Sequence, residues 1–202
     1  MEDKQLTNQQ SLDLITKMIN DTRRNFNDKG GSMFLIWGYT TIFVTIGVYF
    51  LFRATRSGDA MWAWWALPLI GGILTWLHYR KCKRPVQSHL DKMVNSVWSV
   101  FTFSCMACVL FTFGAYVLGG GPYFSILFVI SLLIGVTTAI TGFMIKFTPV
   151  TVGGFAGIIL SFLILVFSGM EQFFIFAGIF LVAQVIPGHI LNRYCKKESE
   201  RA

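Results

Sequence analysis

Cys105-Met106-Ala107-Cys108 places two thiols three residues apart, on one face of a helix and a single turn from each other. Thiol oxidoreductases use this spacing, and in membranes they keep the pair near the outer surface and relay electrons to further cysteines. Here the pair falls near the middle of an apolar run, and Cys82 and Cys195 lie among basic residues elsewhere. The ordinary reading of such thiols is a small hydrophobe. His78 and Cys82 stand four apart, and His189 and Cys195 end the last apolar run at the same level. Imidazole and thiolate would form a zinc or copper set if those two helix ends met. Arg80, Lys81, Lys83 and Arg84 oppose a divalent cation there, although they favour thiolates. Interfacial His and Cys without a metal are the plainer alternative.

Gln184, Pro187 and Gly188 make the last apolar run its most polar and breakable stretch. Pro187 cannot donate to the carbonyl of Ala183 and its ring clashes there, so a kink is expected. The freed carbonyl could line a substrate cavity, as in discontinuous transporter helices, or a neighbouring helix could satisfy it. Pro68 invites the same two readings. No Asp, Glu, Lys or Arg lies deep within any apolar run. Proton relays, voltage sensors and most ion-coupled pumps need such a group, so these classes are disfavoured, whereas carriage of a neutral or lipidic solute is not.

The elements that would position these residues follow from composition. Of 202 residues 54% are hydrophobic and only 13% charged, far too apolar for an ordinary soluble domain. Runs at 33–52, 60–79, 94–118, 123–145, 150–167 and 173–191 are each near the roughly 20 residues that cross a bilayer. The fold class expected is all-α: six antiparallel transmembrane helices, joined by short loops, plus an N-terminal cytoplasmic amphipathic helix. The domains are then a cytoplasmic helix over 1–31, a six-helix bundle over 32–192 and a basic tail over 193–202.

Charge orients that bundle. With both termini cytoplasmic, the only basic residues outside are Arg53 and Arg56, offset by Asp59 and Glu171. The formal +7 then lies wholly on the inner face, as the resistance of Lys and Arg to translocation requires. That face would attract anionic lipid headgroups. Nucleic-acid binding is set aside, because no soluble domain offers a basic groove with stacking aromatics. The six Trp and six Tyr gather toward run ends, as interfacial belts do.

Within the N-terminal segment, Thr7 to Gln10 fits a capping box and Lys29-Gly30-Gly31 a helix stop. Leu12, Ile15, Ile19, Thr22 and Phe26 form one apolar stripe between them. Residues 7–28 are therefore expected to lie on the membrane or under the bundle, or to dock a partner or a second copy. Gln87 to Asn95 should extend the third helix into the cytoplasm and expose His89 and Lys92. Gly153 and Gly157 form a GxxxG, which packs helices within a bundle or pairs two copies. Ile70, Ile140 and Ile186 each open an Ile-x-Gly-x-apolar pattern at unequal spacing, a faint trace of a repeat.

The stretch 11–39, ending Phe34-Leu35-Ile36-Trp37-Gly38-Tyr39, and the stretch from Ile140 through Lys146-Phe147-Thr148-Pro149 to Gly153-Gly154 resemble a group of integral membrane proteins. These are chains of about 200 residues from Bacteroides-like bacteria. The resemblance implies architecture and a bacterial inner-membrane location, and carries no activity. The sequence implies no catalytic residues and no cofactor. The function expected is a non-enzymatic regulatory, accessory or scaffold component acting through helix packing and its basic cytoplasmic face. The alternative is a small carrier or substrate-capture subunit for a neutral or lipidic solute.

Overall fold

Helix α1 (Asn8–Thr55) crosses Lys29-Gly30-Gly31 without a break, so the glycines are not a helix stop. Gly31 is buried where α1 meets the last helix, and a methyl there would collide with Asn192. Close approach, and not left-handed backbone, is what this glycine supplies. The computed structural model describes residues 8–56, 58–81, 89–118 and 124–200, and every regular element among them is helical.

After α1 come a 3₁₀ helix (Gly58–Trp65), α2 (Ala66–Lys81), α3 (His89–Val117), α4 (Ile126–Ile145), α5 (Thr148–Ser161) and α6 (Leu163–Val166). The last span consists of α7 (Glu171–Phe180), a π turn (Leu181–Val185) and α8 (Ile186–Glu200). Five described helices are long and apolar enough to cross a membrane: Gly31–Thr55, His89–Ala115, Ile126–Ile145, Thr148–Val166 and Glu171–Lys197. The run expected over 60–79 instead begins as 3₁₀ helix and becomes α-helical only at Ala66. Pro68 accounts for the switch, because a proline is tolerated in the first turn of an α-helix and not further in.

The tightest contact joins α4 to α5. Lys146 ends α4 in the left-handed conformation (φ 54°), with Phe147 N–H donating to the Gly142 carbonyl at 3.0 Å. Pro149 opens α5 and returns the chain antiparallel. Methyls on Gly142 and Gly154 would strike the backbones of Thr151 and Ala139, and one on Gly135 would come within 2.7 Å of the Ile158 nitrogen. Lipid is as apolar as leucine, so such seams, and not a hydrophobic drive, hold membrane helices together.

Helix α1 and the last span complete a four-span core. Gln172 closes the turn before α7 by donating its amide to the carbonyls of Ile164 (3.0 Å) and Phe167 (2.9 Å). Two apolar clusters mark the ends of the bundle. One joins Phe34, Val94, Ile145, Val150, Leu191 and Cys195; the other holds Ile134, Ile164, Phe176, Ile179 and Phe180. The first cluster sits at the end that carries Lys92, Lys146, Arg193, Lys196 and Lys197, and the second lies toward Arg53 and Glu171.

Helices α2 and α3 stand outside this core. Gly71 of α2 receives the Trp37 ring of α1, 2.7 Å from where a Cβ would stand. Helix α3 leans on α4 and touches α1 through Trp98 against Phe34, rings 5.7 Å apart. No described Cα of α2 lies within 8 Å of one in α3. In the most apolar stretch of α3 no residue is buried, against half of those in the last span.

Replacing Gly154 by Leu should abolish the α4–α5 contact and cost at least about 1–3 kcal/mol through overpacking. Gly47, with nothing within 4 Å of its missing Cβ, should gain roughly 0.5–1 kcal/mol as Ala. Unfolding in mixed micelles reads both; equal stability of Gly154→Leu and wild type would refute the seam.

Candidate functional site

The π turn arises from one residue. Pro187 has no N–H to offer Ala183, so the chain widens by one residue and Ile186 N–H reaches back to Leu181. Space for the bulge comes from α5: the missing Cβ of Gly153 would lie 3.1 Å from Pro187 Cγ and 3.2 Å from the Val182 carbonyl. The missing Cβ of Gly157 would lie 3.0 Å from Ala183 Cβ. Both glycines are thus buried inside the chain's own bundle.

Gln184 sits in that turn at 0% exposure. Its Nε2 donates to Thr138 Oγ1 of α4 at 2.8 Å, and its Oε1 has no partner. Thr41 and Thr45 of α1 and Thr137 and Thr141 of α4 are buried as well. Thr45 donates to the Thr41 carbonyl (2.7 Å) and Thr141 to the Thr137 carbonyl (2.8 Å), so each is satisfied within its own helix. Gln184 to Thr138 is a buried side-chain bond that crosses between helices. On the α1 side, Gly38 admits the Gln184 Cβ and the Val185 side chain at 3.1 and 2.9 Å from its missing Cβ.

The three residues expected to line a cavity face different neighbours: Gln184 meets Thr138 of α4 and Gly38 of α1, Pro187 meets Gly153 of α5, and Gly188 meets α1. All three are buried, Gly188 against Phe34 and Leu35 with contacts of 3.1 Å to its missing Cβ. What they build is a packed polar core with one carbonyl oxygen left over.

The His and Cys residues part company. His189 is exposed and its Nε2 lies 2.8 Å from Tyr39 OH on α1. Cys195 is buried in the apolar cluster around Phe34, so the two lie on different sides of α8. His78 is half-buried with its ring 6.3 Å from that of Tyr79, and Cys82 lies outside the described residues. Among the described residues no three His, Cys, Asp or Glu side chains are grouped to hold a metal. Cys105 and Cys108 are half-buried free thiols on α3.

A second feature escaped the sequence reading. A groove of about 630 Å³ runs along α3, lined by Asn95, Trp98, Ser99, Thr102, Phe103 and Met106. These recur at three- and four-residue steps and form one stripe. The polar residues at that spacing inside an apolar run were the available signal. Ser99 and Thr102 bond the carbonyls of Asn95 (2.8 Å) and Trp98 (2.9 Å), so the stripe tolerates an apolar neighbour.

Thr138→Val should strand the Gln184 amide and cost about 1–3 kcal/mol. Combining it with Gln184→Leu should recover part of that, with a coupling of roughly 0.6 kcal/mol, the usual size between membrane helices. Strict additivity in a double-mutant unfolding cycle would show that the bond does not form.

No protein-family model, no curated protein and no solved structure matches this chain.

Proposed function

We propose that the chain is a non-enzymatic protein of the bacterial cytoplasmic membrane, crossing it six times with both termini inside. It works as a regulatory, accessory or scaffold component through helix packing and its basic cytoplasmic face. One observation carries this reading: the spans contain no charge at depth, while Arg80, Lys92, Lys146, Arg193, Lys196 and Lys197 gather at one end. An uncharged, closely packed core is an anchor, and its interactions fall to that end.

The sixth crossing is the 3₁₀ helix and α2 taken together. Eight residues at about 2.0 Å and sixteen at about 1.5 Å reach roughly 40 Å, more than the hydrocarbon thickness. Residues 8–30 prolong α1 for roughly 35 Å past Gly31, which favours a cytoplasmic helical stalk for docking over a helix lying flat. The carrier reading keeps one point in its favour, the unpartnered Gln184 Oε1 beside a π turn, a kind of irregularity frequent at functional sites.

A cysteine at position 171 should react with a membrane-impermeant maleimide in intact cells, and one at position 146 only after permeabilisation. The reverse labelling would invert the topology. Removing residues 2–30 should leave the bundle folded and strip bound proteins from affinity-purified membranes; an unchanged set of bound proteins would defeat the docking role.

A further inference from the structure

We infer that the groove along α3 binds one anionic phospholipid from the leaflet at the basic end of the bundle. The inference rests on the membrane reading above, but not on which side that end faces. The groove, about 630 Å³, is shallow and open along one helix, the form that suits a chain-like ligand lying alongside it. Polarity along the groove changes in one direction. Lys92, exposed, stands one turn before Asn95 on the same stripe; Ser99 and Thr102 follow, then Phe103 and Met106. From Lys92 to Met106 the helix rises roughly 21 Å, half of a bilayer whose full thickness is about 40–45 Å. Cation, amide, hydroxyl and apolar side chain thus succeed one another over the depth of a single leaflet, as phosphate, glycerol ester and acyl chain do.

A second helix is a poorer occupant. The chain's own helix seams are built of Gly and Ala against backbone, whereas this stripe presents Trp98, Phe103 and Met106. The wall is also fixed in place: Trp98 is held edge-on by Phe34 and Phe101 at 5.7 and 5.6 Å. Val94, on the other side of α3, is buried in the cluster with Ile145 and Leu191. Lys and Arg near a surface attract anionic headgroups.

Native mass spectrometry of the full chain in dodecyl maltoside, with equal phosphatidylglycerol and phosphatidylcholine added, tests this. One phosphatidylglycerol per chain should survive activation that strips phosphatidylcholine. Lys92→Gln should weaken it about fivefold, the effect of one surface cation. Ser99→Phe, which fills the groove, should abolish it, while Ile159→Ala, on the exposed face of α5, should change nothing. Equal retention of the two lipids, or full retention in both Lys92→Gln and Ser99→Phe, overturns the proposal. So does a wild-type dimer that Ser99→Phe disperses, since a second copy would then fill the groove. Extraction of the wild-type chain from membranes by alkaline carbonate would instead sink the membrane reading itself.

Discussion

Two backbones touch where α4 crosses α5, and the arrangement of the bundle depends on that contact. In lipid nothing is gained by hiding leucine from its surroundings, so helices stay together only where many atoms meet at short range. Gly135 and Gly142, seven residues apart on α4, and Gly154 on α5 supply the missing volume along the crossing. The tight turn at Lys146-Phe147 holds the register. Because α5 presents Gly153 and Gly157 on its next face, the last span can bring its π turn against the same helix. Helix α1 then closes the far side through Gly31 and Gly38.

This construction leaves little freedom at depth. Pro187 forces the π turn, the π turn aims Gln184 into the core, and Thr138 takes the amide it brings. Thr45 and Thr141 turn their hydroxyls back to carbonyls one turn earlier in their own helices, so they add polarity without adding cross-links. Helix α3 has none of this. Its glycine at 114 faces open space, Asn95, Ser99 and Thr102 face outward, and Val94 and its aromatics carry its contacts. A span attached so loosely, beside a gap, has a face available to molecules of the bilayer.

Much of this was legible in the residues. Helical class and most span positions follow from apolar runs of about 20 residues, and Gly153 and Gly157 do pack helices within the bundle. The glycines of the Ile-x-Gly-x-apolar pattern differ in setting: Gly142 and Gly188 each admit a neighbour, whereas Gly72 faces open space, so their shared pattern is no sign of a repeat. The glycines at 30 and 31 misled, because a helix stop and a tight crossing ask for the same residue and only the partner, Asn192, distinguishes them. Pro187 pointed to a kink, but whether a proline yields a bend or a π turn depends on the room its neighbours leave. Metal-ligand spacing along the chain could not reveal that His189 and Cys195 fall on opposite environments of one helix. The α3 groove was hidden because an open helix face depends on what its neighbours leave uncovered, a relation that no single sequence segment records.

The central claim is a closely packed core of α1, α4, α5 and the last span, with α3 open along the Asn95 to Met106 stripe. A structure determined in a bilayer containing phosphatidylglycerol tests it most directly. The account predicts backbone contact between Gly142 and Thr151 and a lipid, not a protein helix, along that stripe. A helix of α2 or of a second copy packed over Ser99 and Phe103, or an α4–α5 pair held apart by lipid, would contradict it.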